Sequence, residues 1–171
     1  MRSLMAARLV LLDADQGRRE ELSGALAELG AFQISGIATV ADAAGVCALA
    51  APDLFIVEGP SLAANDEDDE ISANPFAASG IPTILLLPDA TMMQRRKAAR
   101  AGYAIVIGMP ASPRLVYRRI AHALQNARRA KRRLDAAMLR DRAKTAAETR
   151  EGAVEKRISL EAPLFAKRPA R

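Results

Sequence analysis

The stretch IPTILLLPDATMMQRRKAARAGYAIVIG, residues 81–108, contains two short apolar runs separated by a polar segment of helical length. The runs IPTILLL (81–87) and YAIVIG (103–108) are short and almost uniformly apolar, which predicts buried strands. The segment ATMMQRRKAARAG (90–102) is rich in helix formers and ends at Gly102, a residue that favours helix termination. A strand, a helix and a second buried strand predict a βαβ unit with parallel strands.

The same alternation extends back to the N-terminus of the chain. Apolar strands are predicted at residues 7–15, 32–38 and 53–58, and helices at residues 16–30 and 39–51, the second with Thr39 as its N-cap. The expected fold is therefore an α/β fold with a doubly wound, five-stranded parallel sheet. Between the third and fourth strands, the acids Asp66 to Glu70 predict a charged loop, with only a vestigial third helix near PFAAS (75–79).

The C-terminal part of the sequence has a helical pattern that begins at Pro113, with Ser112 as N-cap, and has no further Gly or Pro before Gly152. Residues 1–113 contain 8 Lys and Arg against 14 Asp and Glu, whereas residues 114–171 contain 17 against 6. This asymmetry indicates an acidic body followed by a basic extension. We predict a domain at 1–128, a protruding basic helix at 129–152 that continues the last helix of the domain, and a flexible tail at 153–171.

The composition argues against several classes of protein. One cysteine, Cys47, excludes an internal disulfide and is expected to be a buried core residue, and His122, the one histidine, is expected at the surface without a metal. No apolar run approaches the roughly 20 residues that a membrane helix needs. The N-terminal apolar segment reaches Asp13 too soon for a signal peptide, so we expect a cytoplasmic protein.

Three segments, in their order along the chain, resemble the receiver domain of bacterial two-component response regulators over residues 7–128. They are RLVLLDADQGRREEL (8–22), PDLFIVEGP (52–60) and IPTILLL (81–87) followed by RAGYAIVIGMPASPRLV (100–116). The resemblance implies the receiver fold, and it implies an ancestral phosphorylation site. In that family, an aspartate accepts the phosphoryl group beside a Mg²⁺ ion held by neighbouring carboxylates, a hydroxyl on the fourth strand and a lysine on the fifth strand.

Carried over residue by residue, the family's phosphorylation site is depleted in this chain. The phosphoacceptor position is Glu58, whose longer side chain disturbs the in-line geometry. The acidic pair is reduced to a remnant of Asp13 and Asp15, because Ala14 occupies the position between them. Apolar residues stand at three further positions of the family's site: Leu87 at the hydroxyl, Val106 at the switch aromatic and Met109 at the lysine. Pro110 follows, and we expect the Met109-Pro110 peptide bond to be cis.

We therefore predict a degenerate receiver that is not an enzyme and has no catalytic residues, no metal and no cofactor. The apolar replacements also predict that the crevice at the strand ends is packed shut. Two interpretations of Glu58 stay open: its carboxylate mimics a phosphorylated aspartate, or it is a partly exposed acid paired with local backbone N–H groups or water.

The expected function is a phosphorylation-independent signalling module that binds proteins as an adaptor or dimer. Its interaction surfaces would be the basic C-terminal helix and the face that the fourth helix, the fifth strand and the fifth helix form in the family. The expected partners are a sensor kinase or another signalling protein, or a second copy of the chain. The alternative is a nucleic-acid-binding regulator that uses the same helix. The predicted interaction residues are Arg95, Arg96, Arg118, Arg119, Arg128, Arg129, Arg132 and Arg133.

Overall fold

A computed structural model of the chain describes residues 7–30, 33–62, 71–88 and 90–160. Contacts divide the chain into two units, residues 1–128 and 129–171, which are described separately. The predicted acidic segment 66–70 and residues 161–171 of the predicted tail lie outside the described residues. In the described part of the chain, no helix combines the length and the apolar character that crossing a membrane requires.

The first unit is a five-stranded parallel sheet in the order β2-β1-β3-β4-β5, which confirms the predicted α/β fold class. The strands are β1 Arg8–Leu12, β2 Gln33–Ile37, β3 Leu54–Glu58, β4 Thr83–Pro88 and β5 Ile105–Met109. The helices are α1 Gln16–Leu29, α2 Asp42–Leu49, α3 Met92–Arg100 and α4 Pro113–Leu160, of which α4 begins in the first unit and continues through the second.

The sheet is buried on both faces, and this explains why its strands read as continuous apolar runs. On one face, Leu11 and Ile56 pack with Leu26 of α1 and Leu124 of α4. The side chains at alternate strand positions form a second cluster on the opposite face, on the side of α2 and α3. Because successive residues of a strand point to opposite faces, each central strand contributes to both clusters. The second cluster includes Val10, Leu12, Ala43, Phe55, Val57, Leu85 and Ala98.

The described residues of the connection between β3 and β4 form two short 3-10 segments, Gly59–Leu62 and Ala77–Ser79. The second lies at the predicted vestigial helix near PFAAS. Phe76 precedes it and stacks on Phe55 of β3, with ring centroids 3.9 Å apart and an interplanar angle of 3°. The side chain of Asn74 holds this segment in place, because Nδ2 donates to the Gly102 carbonyl at 3.0 Å and Oδ1 accepts from the Phe76 amide at 3.0 Å.

Some predicted boundaries and burials differ from the structure. Helix α2 begins at Asp42, three residues after the predicted cap, but Thr39 still pairs with its first residue: the Asp42 amide donates to Thr39 Oγ1 at 3.4 Å. In return, the Thr39 amide and hydroxyl donate to Asp42 Oδ2 at 3.0 and 2.9 Å. These bonds, the hydroxyl first, lower the pKa of Asp42. Helix α4 does not end at Gly152 but continues to Leu160, since an interior glycine costs a helix only about 1 kcal/mol. Cys47 is half-buried against the second cluster rather than fully buried.

Tyr103 gives this fold a specific sensitivity to alkaline pH. The side chain is 5% exposed, its hydroxyl donates to the Ser72 carbonyl at 3.2 Å, and burial raises the pKa of the phenol to about 12. The unfolded phenol ionises near pH 10, so its contribution to stability is complete below about pH 10 and is lost as the pH rises through about 12. We expect the urea midpoint to fall between about pH 10 and 12, and Tyr103→Phe to reduce that fall. A variant with an unchanged pH profile would contradict this prediction.

Candidate functional site at the carboxyl ends of the strands

The carboxyl ends of β1, β3 and β5 meet at one edge of the sheet, where parallel α/β folds place their functional residues. A pocket of about 390 Å³ lies at this edge, and we call it the strand-end pocket. It brings together four of the predicted positions, Asp13, Glu58, Met109 and Pro110, and it adds Arg18 of α1. The other lining residues are Glu21, Leu22, Ala25, Leu86, Pro88, Ala111 and Pro113.

Asp13 is the most constrained acid of the pocket. It is 5% exposed, its amide donates to the Ile37 carbonyl at 3.1 Å, and its own carbonyl accepts a hydrogen bond from Arg19. Its Oδ1 accepts from the backbone amide of Asp15 at 2.8 Å. A buried carboxylate requires compensating donors of this kind, since an unpaired buried charge costs several kcal/mol.

Arg18 supplies the positive charge that faces Asp13. Its Nη2 lies 2.9 Å from Asp13 Oδ1, and its Nε donates to Asp13 Oδ2 at 3.2 Å, so the pair is bidentate. The same Nη2 lies 3.6 Å from Glu58 Oε1. One guanidinium therefore links the end of β1 to the end of β3. The hydrogen bond to Asp13 raises the pKa of Arg18 above its usual value, so the group keeps its charge.

Glu58 ends β3 and stands next to this ion pair. Its side chain is 13% exposed, and its carboxylate is directed toward Arg18. The contact gives Glu58 a charged side-chain partner, whereas the second interpretation expected backbone N–H groups or water. It leaves a role as a phosphoaspartate mimic as a hypothesis.

Asp15 does not join the pocket. Its Oδ1 accepts from the Arg18 backbone amide at 2.9 Å and caps the N-terminus of α1. This hydrogen bond is the main cause of the lowered pKa of Asp15. The neighbouring Ala14 has no side-chain oxygen, so the acidic remnant that was predicted from the sequence contributes one carboxylate to the pocket, that of Asp13.

Leu87 and Val106 also lie elsewhere. The Leu87 side chain covers the backbone of Gly59, directly after β3, and packs with the cluster on the α2 and α3 side of the sheet. Val106 packs with the same cluster, and its carbonyl accepts from Arg95 Nη1 at 2.8 Å. Met109 lines the pocket, and the Met109-Pro110 peptide is cis, as predicted. The prediction that apolar replacements close the crevice is wrong, because the pocket stays open between Met109 and α1.

The residues of the strand-end pocket do not fit the Mg²⁺ ion that the receiver fold implies. Mg²⁺ prefers octahedral coordination by oxygen, with carboxylates among the ligands. Both carboxylate oxygens of Asp13 are hydrogen-bonded to Arg18, and the Asp15 carboxylate caps a helix. Across the ranges that the structure describes, no group of three or more His, Cys, Asp and Glu side chains could hold a metal ion.

The predicted interaction residues lie on α3 and α4. Arg95 and Arg96 are exposed on α3, beside Met92 and Met93, whose side chains are 69% and 63% exposed. On α4, Arg128 is half-buried, whereas the remaining predicted arginines are exposed. The exposed arginines of α4 are Arg118 and Arg119 in the first unit, and Arg129, Arg132 and Arg133 in the second.

Sequence reasoning missed Arg18. Its position is set by the turn from Asp13 to the first residues of α1, in which Asp15 caps the Arg18 amide. The available signal was an arginine in the first turn of a helix, directly after an acidic strand end. A cation is uncommon there because the helix dipole disfavours it, so a local acidic partner could have been suspected.

Comparisons with known proteins support the fold. No protein-family model matches the sequence, and no curated protein sequence matches it. Among solved structures, a response regulator of Desulfuromonas acetoxidans is similar at 24% identity and a TM-score of 0.54, covering 70% of this chain and 97% of its own. A CheY-like receiver domain protein of Methanospirillum hungatei is similar at 16% identity and a TM-score of 0.57, with coverages of 73% and 98%.

A protein of Burkholderia pseudomallei described as pilus assembly-related is similar at 18% identity and a TM-score of 0.56, covering 73% of this chain and 94% of its own. NtrX of Brucella abortus gives a TM-score of 0.63 at 16% identity, and this chain spans 29% of its length. At these identities, the likeness shows the fold alone. The chain has the fold of a response-regulator receiver domain.

The contact between Gly59 and Leu87 can be tested by substitution. A Cβ at position 59 would overlap Leu87 Cδ2 and lie 3.2 Å from the Leu86 carbonyl oxygen. We expect Gly59→Ala to lower the free energy of unfolding by about 1–3 kcal/mol, because the neighbours must shift. The matched control is Gly24→Ala in α1, where a Cβ meets nothing within 4 Å and should stabilise the helix by about 0.5–1 kcal/mol.

The measurement is urea unfolding, monitored by circular dichroism. If the overlap is the cause, Leu87→Ala should cost less in the Gly59→Ala background than in the wild-type protein. Equal costs in the two backgrounds would show that Leu87 is not the obstacle.

Proposed function

We propose that this protein is a signalling regulator whose receiver-like domain binds other proteins without being phosphorylated. The observation that carries the proposal is the lining of the strand-end pocket, where Met109 stands at the position that the family gives to a lysine. Phosphoryl oxygens need cations and donors directed at them as charge redistributes. A thioether offers neither, and Leu87 at the hydroxyl position packs on Gly59 instead.

Arg18, the cation of this pocket, is bound to Asp13 through two nitrogen atoms. A phosphoryl group would have to compete with this buried carboxylate for the guanidinium. The pocket therefore lacks both the metal ligands and the free cation that phosphoryl transfer requires, and we infer a protein that is not an enzyme.

The first proposed interaction surface is the face of α3, β5 and α4, which corresponds to the family's fourth helix, fifth strand and fifth helix. Exposed Met92 and Met93 provide apolar area on α3, and Arg95 is fixed on β5 through its hydrogen bond to Val106. Exposed methionines adapt readily to a partner, and the surrounding arginines favour a partner with an acidic rim.

The second proposed surface is the part of α4 in residues 129–145. Leu134, Met138 and Leu139 are 65%, 55% and 65% exposed there, among Arg132 and Arg133. Exposed apolar side chains on a strongly basic helix are suited to an acidic, partly apolar protein surface. A sensor kinase or another cytoplasmic signalling protein fits this role, as does a second copy of the chain.

The alternative function is nucleic-acid binding through α4. It is favoured by charge, since residues 114–144 contain 11 Lys and Arg against 2 acids. Such a helix can neutralise phosphates without reading a sequence, and its affinity would then fall steeply with salt.

Independence from phosphorylation is tested with a small phosphodonor. The intact protein is incubated with acetyl phosphate and Mg²⁺, and its mass is then measured, with an active receiver domain as positive control. We expect no phosphoryl adduct, because the pocket has no free cation to hold the phosphoryl oxygens. A stoichiometric adduct that is lost in Glu58→Gln would overturn the proposal.

The interaction surfaces are tested by charge reversal at two matched pairs of arginines, Arg118→Glu with Arg119→Glu, and Arg132→Glu with Arg133→Glu. Both pairs change the net charge equally, so a difference between them identifies the surface in use. We expect at least one pair to reduce, by about tenfold or more, the recovery of a specific protein partner from extracts of the source cells, as loss of central charged contacts does.

Nuclease treatment and moderate salt separate the two candidate functions. Recovery that survives both supports protein binding, whereas recovery that both abolish supports the nucleic-acid alternative. If neither pair of substitutions changes the recovered proteins, the basic helix is not the interaction surface.

A further inference from the structure

We propose that the Arg18 guanidinium is a built-in replacement for a divalent cation in the strand-end pocket, so that this site is held permanently in a metal-free state. The proposal deepens the proposed function and rests in part on the same Arg18–Asp13 pair. Its failure would remove the argument from Arg18 and leave the argument from Met109 and Leu87 standing, which the acetyl phosphate experiment tests separately.

The geometry of Arg18 is that of a shared cation. Its Nη2 lies 2.9 Å from Asp13 Oδ1 and 3.6 Å from Glu58 Oε1, so one positive group faces the carboxylates that follow β1 and end β3. The Nε bond to Asp13 Oδ2 at 3.2 Å completes a planar fork that an ammonium group could not form. The guanidinium therefore stands beside the two carboxylates that a bound cation would face, with one positive charge in place of two.

The turn before α1 holds Arg18 in this place. Asp15 caps the helix by accepting from the Arg18 amide at 2.9 Å, which fixes the backbone of Arg18 one turn from the end of β1. The amide of Asp15 in turn donates to Asp13 Oδ1 at 2.8 Å. Both acids that the sequence offered as metal ligands are thus engaged in holding the arginine.

The replacement differs from a metal ion in being permanent. The hydrogen bonds that Arg18 donates to Asp13 raise the pKa of Arg18, so the guanidinium stays protonated. An internal cation cannot be removed by a chelator or exchanged for another ion. The pocket should therefore be indifferent to Mg²⁺ concentration.

Thermal unfolding of the full chain with Mg²⁺ or with EDTA tests the replacement. The variants are Arg18→Met, which keeps the apolar stem, and Arg18→Lys, which keeps the charge. The control is Arg140→Met, which removes an exposed arginine outside the pocket. Within each of three proteins, the midpoint in Mg²⁺ should equal the midpoint in EDTA: the wild type, Arg18→Lys and Arg140→Met.

Arg18→Met should unfold at a lower temperature, with an unfolding equilibrium constant raised by roughly tenfold or more, because a buried carboxylate loses its charged partner. Mg²⁺ should raise this midpoint, since the ion can then take the place of the guanidinium beside the Asp13 and Glu58 carboxylates. Adding Asp13→Asn to Arg18→Met should restore stability and remove the response to Mg²⁺.

Three results would overturn the inference. The first is a wild-type unfolding temperature that rises with Mg²⁺ as much as that of Arg18→Met. The second is an Arg18→Met unfolding temperature that does not change with Mg²⁺. The third is an Arg18→Met protein that is as stable as Arg140→Met. If Arg18→Met does not fold, Mn²⁺ binding to the wild-type protein, followed by electron paramagnetic resonance, decides the question. Binding that is lost in Asp13→Asn contradicts the inference, and the absence of such binding supports it.

Discussion

Burial of a parallel sheet on both faces is the constraint on which the rest of this structure depends. Every central strand contributes side chains to both apolar clusters. In β1, for example, Leu11 faces α1 and α4, while Leu12 faces the opposite side of the sheet. Polar side chains can be accommodated only where the strands end. Because all five strands run in the same direction, those ends form one edge, and Asp13 and Glu58 are brought together there by topology before any attraction acts between them.

At that edge, the chain keeps the receiver fold while using its charges differently. The carboxylates that the family directs at a metal ion are engaged with Arg18 and with the start of α1. This ion pair links the residue after β1 to the last residue of β3. The exposed faces of α3 and α4 carry most of the predicted basic interaction residues.

The sequence was sufficient for the fold because its signals are local and repeated. Apolar runs such as LVLL and LFIV can only be buried strands, and the order of the elements then selects the topology. The candidate site was predictable in its positions but not in its contacts. The position of Arg18 depends on a turn of a few residues. Neither the composition of the sequence nor its hydrophobic periodicity indicates that turn. The predicted helix boundaries differ from the structure for a similar reason: α2 begins at Asp42, three residues after Thr39, and α4 continues through Gly152 to Leu160.

The stacked rings of Phe76 and Phe55 have an evolutionary consequence. Where a helix connects two strands, natural selection must preserve a pattern of apolar residues over several turns. In this chain, the described part of the connection packs on the sheet through Phe76 and partly buried Ile71 and Ile81, and the Asn74 amide binds the Gly102 carbonyl. Within the described part, selection for folding then acts on a few positions, and the exposed residues between them can diverge at little cost to the core. A lineage can therefore change the exposed surface of this segment without first redesigning the domain.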